Sequence, residues 1–316
     1  MQPLLDPIQR LMSAIAGGLN TDLFIVEGTI AIILVSLICG SVGALVVGNR
    51  LAFFSDALAH CAFAGVALGI ITAVLAGAGK HDERMDWILP LVMTVSGILF
   101  GVGIVYVRER TSLASDTVIG VFFAAALGFG GVLFAALKVI ANKSQEQLLF
   151  GAALNATELD LVMLALLAII TAGSMFLRYN QLVFASFNAS LARSRRIPLR
   201  LYNYLFIILL AVIVNVCIQT VGILLINAML VVPAAAAINL SRNLRQMFWW
   251  TIVISLAAGI GGMELSLNVH IPIRGTPLQT GTGGWIVLLC VAAFALSMFI
   301  GPALTRQRGA RTSLAA

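Results

Sequence analysis

Runs of about 20 apolar residues recur along this chain, and about 20 helical residues rising 1.5 Å each cross the hydrocarbon core of a bilayer. The pattern predicts nine membrane segments, at approximately 28–48, 56–78, 87–107, 116–137, 158–177, 202–220, 222–240, 247–267 and 283–303. A soluble α/β core would need polar helix faces, and these runs have none. Between the fifth and sixth segments, Arg178 to Arg200 is too basic to span. Residues 142–157 are mildly amphipathic and read as a surface segment. Residues 268–282, marked by Pro272, Gly275, Pro277 and Gly281, read as a loop. No repeat with a 20–50-residue period is present. The expected fold is all-α, a polytopic transmembrane helical bundle of about 8–9 spans. It forms a single domain over 1–316, with an interfacial segment at 1–27, a polar loop at 179–200 and a tail at 304–316.

Composition agrees with the pattern. The chain is 60% hydrophobic and 10% charged, against about 25% charged residues in soluble domains. The net charge of +6 would suggest nucleic acid in a soluble protein. Here the basic residues report topology instead, and no nucleic-acid partner is expected. With 178–200 placed in the cytoplasm, Arg50, Arg108, Arg110, Arg178, Arg193, Arg195, Arg196, Arg200, Arg242, Arg245, Arg306, Arg308 and Arg311 all fall on that side. Those are 13 of the 19 Lys and Arg. The acidic residues lean the other way: Asp22, Glu27, Asp82, Glu83, Asp86, Glu146, Glu158, Asp160 and Glu264 lie outside or near it. The protein is expected in the cell inner membrane, multi-pass, with a cytoplasmic C-terminus. An acidic outer face would raise the local concentration of cations.

Several features mislead. Ala14-Ile15-Ala16 resembles a signal-peptidase site, but the apolar stretch before it is short and Asp6 precedes it. Gly77-Ala78-Gly79-Lys80 resembles the end of a phosphate loop, but Val74 stands where the first glycine belongs and His81 follows the lysine. The chain is therefore not expected to hydrolyse ATP. Cys39, Cys61, Cys217 and Cys290 all lie inside apolar runs, too scattered for a disulfide framework.

Charged residues inside a span cost about 2.5–3.5 kcal/mol on insertion scales, so they mark function by default. Most charges here sit at segment ends. The exception is Asp56 and His60, four residues apart and so on one helix face with Cβ atoms about 5–6 Å apart. A carboxylate oxygen and an imidazole nitrogen so spaced could share one cation, with a softness that suits Zn²⁺, Mn²⁺ or Fe²⁺. The competing reading makes Asp56 a helix cap and His60 a packing residue. Cys61 projects about 100° away and is not counted as a ligand. His81 and His270 read as loop histidines, with Glu264 near the latter. Ser115-Asp116 reads as an N-cap. Asn215, Gln219 and Asn227 either line a path or hydrogen-bond between helices. Gly65-xxx-Gly69 and Gly97-xxx-Gly101 read as close-packing pairs.

The stretch Cys39-Gly40-Ser41-Val42-Gly43 through Gly48-Asn49-Arg50-Leu51-Ala52-Phe53-Phe54-Ser55-Asp56-Ala57-Leu58-Ala59-His60, followed by Gly65-Val66-Ala67-Leu68-Gly69, resembles the permease family of ABC importers for zinc, manganese and iron. Asp116-Thr117-Val118-Ile119-Gly120 is similar to that family's next block. Val221-Gly222-Ile223-Leu224-Leu225 through Leu230-Val231-Val232-Pro233-Ala234-Ala235 is similar to a later one. The resemblance covers roughly residues 28 to 303. It implies that Asp56 and His60 contribute to a metal path. It also implies that the loop after the fifth span docks into an ATPase as a short coupling helix, with Phe184, Phe187, Leu191 and Ala192 at the contact. The chain departs from the family at Phe187-Asn188, where Phe-Asp is usual, at Ser194-Arg195-Arg196, and at Phe63-Ala64-Gly65. Residues 271–282 look like an insertion.

Together these imply a transport subunit rather than an enzyme, with no permanently bound cofactor and a divalent metal ion as cargo. The implied partners are a cytoplasmic ABC ATPase dimer, a periplasmic or lipoprotein metal-binding protein, a second permease copy forming a homodimer, and the lipid bilayer. The alternatives are a siderophore- or corrinoid-type ABC importer permease, whose path would not need an in-span Asp/His pair, and a secondary ion-coupled carrier. A carrier should show two related halves with paired broken helices, which are not visible here.

Overall fold

A computed structural model describes residues 22–77, 83–137, 157–187, 198–273, 276–279 and 281–313, together with Met12, Ser13 and Gly17. Among the described residues, nine helices are long and apolar enough to cross a membrane. In chain order they are α1 (Leu23–Gly48), α2 (Ala52–Leu75), α3 (Glu83–Arg110), α4 (Ser115–Leu137), α5 (Glu158–Phe187), α6 (Leu199–Val221), α7 (Ile223–Leu240), α8 (Leu244–Asn268) and α9 (Thr282–Ser313). Helices satisfy every backbone polar group internally, which is what a lipid environment demands. Large apolar side chains stand exposed along them, among them Leu91, Leu99, Ile169, Phe176 and Phe299. Such surface suits lipid and would be a liability in water.

Several boundaries differ from the hydropathy reading, each for a local reason. α1 begins at Leu23, because the Asp22 carbonyl accepts hydrogen bonds from the amides of Ile25 and Val26. Residues 23–27, expected in an interfacial segment, are therefore continuous with the helix of the first span. α4 begins at Ser115, and the Ala114 carbonyl accepts from Thr117 and Val118. Ser115 is therefore a first-turn residue rather than the cap, and Asp116 places negative charge in that turn, where the helix dipole favours it. α5 continues past Arg178 to Phe187, so the first part of the expected 179–200 loop is helix. α9 extends to Ser313, so the tail expected at 304–316 is helical through that residue.

Within the stretch expected to be a loop, β1 (His270–Ile273) and β2 (Thr276–Gln279) form an antiparallel hairpin. Pro272 pairs with Pro277, between the pairs Ile271–Leu278 and Ile273–Thr276. Two prolines, which have no amide hydrogen to donate, thus share one position of the ladder.

The chain forms two compact units. One comprises Met1–Val47, Ala153–Ala172 and Leu224–Ala316; the other comprises Gly48–Ala152 and Gly173–Ile223. In the first, α1 and α8 approach closely. A Cβ on Gly40 would stand 2.9 Å from the Ile252 Cα, and the Ser255 hydroxyl donates to the Ser36 carbonyl at 3.0 Å. Asn239 on α7 donates to Ser297 on α9 at 3.0 Å. In the second unit α2 is the central helix, packed against α3, α4 and α6. The two glycine pairs act as their spacing implies. Gly65 faces Ser96 and Met93, and Gly69 faces Leu89, which brings α2 onto α3. Gly97 faces Asn215, and Gly101 faces Ile207, Leu58 and Phe54. All four cysteines are free and buried.

Two unusual backbone positions bracket these helices. Arg50, in the turn between α1 and α2, has φ 57° and is the one non-glycine residue with positive φ among the described residues. Gly222 separates α6 from α7 with φ 83° and ψ 165°, and its amide closes α6 on the Ile218 carbonyl at 2.9 Å. That combination is open essentially to glycine alone. Gly222→Ala is expected to destabilise the protein by roughly 1–3 kcal/mol, read as a lower thermal unfolding midpoint in detergent. Gly120→Ala, in α4 where an added Cβ meets nothing within 4 Å, is expected to be neutral or to stabilise by up to ~1 kcal/mol.

Candidate metal site

α2 begins at Ala52, with Leu51 as its N-cap and no side-chain cap; the Leu51 carbonyl accepts from the Ser55 amide at 3.0 Å. Asp56 is therefore the fifth residue of the helix and does not cap it. This removes the plainer of the two sequence readings of that carboxylate. Most of α2 is buried, including Phe54, Ser55, Ala57, Leu58, Ala59, Cys61 and Ala62. The less covered stripe runs Phe53, Asp56, His60, Phe63, spaced as one face of a helix. Phe53 is 69% exposed, and the side chains of Asp56 and His60 are 44% and 23% exposed. The two polar groups therefore lie on the open face of a helix whose other faces are packed.

The pair is also organised internally. His60 Nδ1 lies 2.9 Å from the backbone carbonyl oxygen of Asp56 and 3.6 Å from Asp56 Oδ1. A carbonyl oxygen only accepts, so Nδ1 carries the hydrogen in this contact. With Nδ1 carrying the single hydrogen of a neutral imidazole, the lone pair is at Nε2, where a metal can bind. A backbone carbonyl that fixes the tautomer of a ligating histidine is a recurring feature of metal sites. Around the ring, Phe123 of α4 stands edge-on at a centroid distance of 4.9 Å and an interplanar angle of 62°. Phe63 lies 6.5 Å away, tilted by 32°.

No group of three or more His, Cys, Asp or Glu side chains able to hold a metal occurs among the described residues. The structure thus brings together the two donors the sequence put forward and adds no third among the described residues. Cys61 is fully buried on another face of α2. Glu264 is exposed on α8, where Asn268 donates to its backbone carbonyl at 2.8 Å. His270 opens β1. His81, Leu191 and Ala192 lie outside the described residues, and Phe184 and Phe187 fall in the last turns of α5.

The buried amides divide differently from the sequence reading. Asn215 is fully buried over Gly97, and its Nδ2 donates to the Ala211 carbonyl of its own helix at 2.8 Å. Its Oδ1 and the Nε2 of Gln219 have no hydrogen-bond partner among the described residues. The Asn215 amide nitrogen thus bonds within its own helix rather than across to another. Sequence reasoning missed Phe123. Its only signal is helical spacing with the small residues Ala126 and Gly130 of α4, which shows a packing face but not what that face meets.

The tautomer can be checked directly. In metal-free protein labelled with ¹⁵N-histidine, the signal that His60→Ala removes is expected to show a protonated Nδ1 and an unprotonated Nε2. The opposite tautomer would mean that Nε2 offers no lone pair to a cation.

Comparison with known proteins places this geometry in a family. The manganese import system permease protein ScaB of Streptococcus gordonii is 28% identical over 285 residues, spanning 90% of this chain and 94% of its own. The high-affinity zinc uptake system membrane protein ZnuB of Haemophilus influenzae is 27% identical over 267 residues, spanning 84% and 94%. Among solved structures, PsaBC from Streptococcus pneumoniae in complex with Fab matches with a TM-score of 0.72 at 26% identity, covering 92% of this chain and 96% of that one. The profile of the ABC 3 transport family matches residues 21–301, nearly the whole chain, and this protein is a member of that family.

Proposed function

We propose that this chain is the membrane-spanning permease subunit of an ATP-driven importer of divalent metal ions, with Asp56 and His60 as its metal ligands. The observation that carries this reading is the pair itself. A carboxylate and a tautomerically fixed imidazole share the open face of an otherwise buried apolar helix. Membership of the ABC 3 transport family supports it. So do the relatives, one a manganese permease and one a zinc permease.

Two donors hold an ion weakly, which suits a path from which the ion must also leave. A second copy of the chain, meeting this one across the Phe53–His60 stripe, supplies two more donors. The resulting set of two carboxylates and two imidazoles approaches the four-coordinate geometry that Zn²⁺ accepts at about 2.0–2.2 Å. Mn²⁺ and Fe²⁺ tolerate the same mixed oxygen and nitrogen donors, whereas Mg²⁺ gives up its water reluctantly. A metal-binding protein delivers the ion from outside. Two ATPase subunits in the cytoplasm drive the switch in access. The segment following α5, with Phe184, Phe187, Leu191 and Ala192, docks onto them as the coupling element. The clustered arginines put that segment and the C-terminus in the cytoplasm.

Uptake of radioactive Mn²⁺, Zn²⁺ and Fe²⁺ by cells carrying the complete transporter tests the ligands. Asp56→Asn and His60→Ala are each expected to reduce uptake to background while the protein inserts and accumulates normally. Full uptake with either variant would remove the metal assignment. The coupling assignment has its own test. Phe187→Asp is expected to abolish transport-dependent ATP hydrolysis in the reconstituted complex while leaving metal binding to the permease within about twofold.

A further inference from the structure

α4 presents a stripe of Ile119, Phe123, Ala126 and Gly130, spaced i, i+4, i+7 and i+11 along one helix face. Ile119, Ala126 and Gly130 are buried. A Cβ added at Gly130 would stand 3.1 Å from the backbone nitrogen of Ala64 and 3.4 Å from its Cα, so this face lies directly on α2 one turn beyond His60. The two small residues bring the helices together. Phe123 is the aromatic member of the stripe, and it meets the His60 ring edge-on at 4.9 Å. Its neighbour Phe122 turns elsewhere. It packs on Gly103 and stands at 6.5 Å and 86° to Phe100, both on α3.

We propose that Phe123 is a positioning residue for the metal pair: its ring fixes the rotamer of His60 so that Nε2 is held ready for the cation. The inference rests on the reading of Asp56 and His60 as metal ligands. One hydrogen bond at Nδ1 fixes the tautomer but leaves the partly exposed imidazole free to rock about its Cα–Cβ and Cβ–Cγ bonds. Phe63, on the same helix and at 6.5 Å, sits near the outer limit of ring contact. Phe123 approaches from a different helix, so its hold on the ring depends on the α2–α4 packing rather than on the local turn. A ligand held in its binding rotamer loses less freedom when the ion arrives, and this appears as affinity. The ring contact of Phe123 thereby links the packing of α4 to the strength of the site.

Two variants separate positioning from bulk. Phe123→Leu keeps an apolar side chain and removes the ring; Phe123→Tyr keeps the ring. In the complete transporter, with whichever of Mn²⁺, Zn²⁺ and Fe²⁺ the wild type imports, Phe123→Leu is expected to raise the KM for uptake by roughly 3- to 10-fold, with a maximal rate close to wild type. Phe123→Tyr should restore the wild-type KM. In metal-free protein the three-bond couplings of the His60 ¹⁵N signals, assigned with His60→Ala and reporting the side-chain rotamer, should move in Phe123→Leu from a single rotamer toward an average, and remain fixed in Phe123→Tyr. A wild-type KM for Phe123→Leu, or unchanged His60 couplings beside an altered KM, overturns the positioning role. The underlying reading fails separately: Asp56→Asn with full uptake removes the metal assignment, and the ¹⁵N couplings still report whether Phe123 holds the ring.

Discussion

Lipid offers a polar group nothing to bond to, and this single constraint orders the molecule. It confines the backbone of the spans to helices, whose amides and carbonyls satisfy one another. It pushes most charges to helix ends and leaves apolar side chains such as Phe176 and Phe299 standing outward. Against that background a carboxylate and an imidazole one turn apart within α2 are costly, and the fold shows how the cost is met. The imidazole donates to a carbonyl of its own helix. The carboxylate stays on the stripe of α2 that the rest of its unit does not cover.

α2 can carry this pair because its other faces are packed so closely. Gly65 and Gly69 let α3 lie against it, and Gly130 does the same for α4. Backbones that approach this nearly leave little room for either helix to shift, since packed interiors resist small displacements. Asp56 and His60 are thus two side chains on one closely packed helix, with the Phe123 ring of a second helix against His60. Turns with unusual backbone stand before α2 and after α6. Arg50 precedes α2 and Gly222 follows α6, both with positive φ. Arg50 stands directly before the Leu51 cap of α2, and Gly222 is the C-cap of α6.

Much of this was legible in the sequence because the relevant signals are local. Nine apolar runs mark nine helices, since span length depends only on rise per residue and bilayer thickness. The i, i+4 spacing puts Asp56 and His60 on one face whatever surrounds them. The glycine pairs mark helix contacts, since only residues without large side chains allow them. Errors fell where hydropathy and helix length part company. Lipid limits how long an apolar run is, but not how far its helix continues into water, and so α5 reached Phe187 and α9 reached Ser313. The sequence around β1 and β2 reads as a loop because Pro272 and Pro277 interrupt the strand pattern, and the structure pairs these two prolines with each other.

The chain alone determined that this is a many-helix membrane protein with a carboxylate and an imidazole on one face of a span, because hydrophobic run length and helical periodicity are properties of consecutive residues. Tertiary structure decided the rest. It showed that Leu51 rather than Asp56 caps α2, that His60 Nδ1 lies 2.9 Å from the Asp56 carbonyl oxygen, and that Phe123, more than 60 positions along the chain, stands against that ring. The Phe123 contact depends on which helices become neighbours. Packing between helices selects that from many alternatives of equal hydrophobicity, and no periodicity within a single helix encodes it.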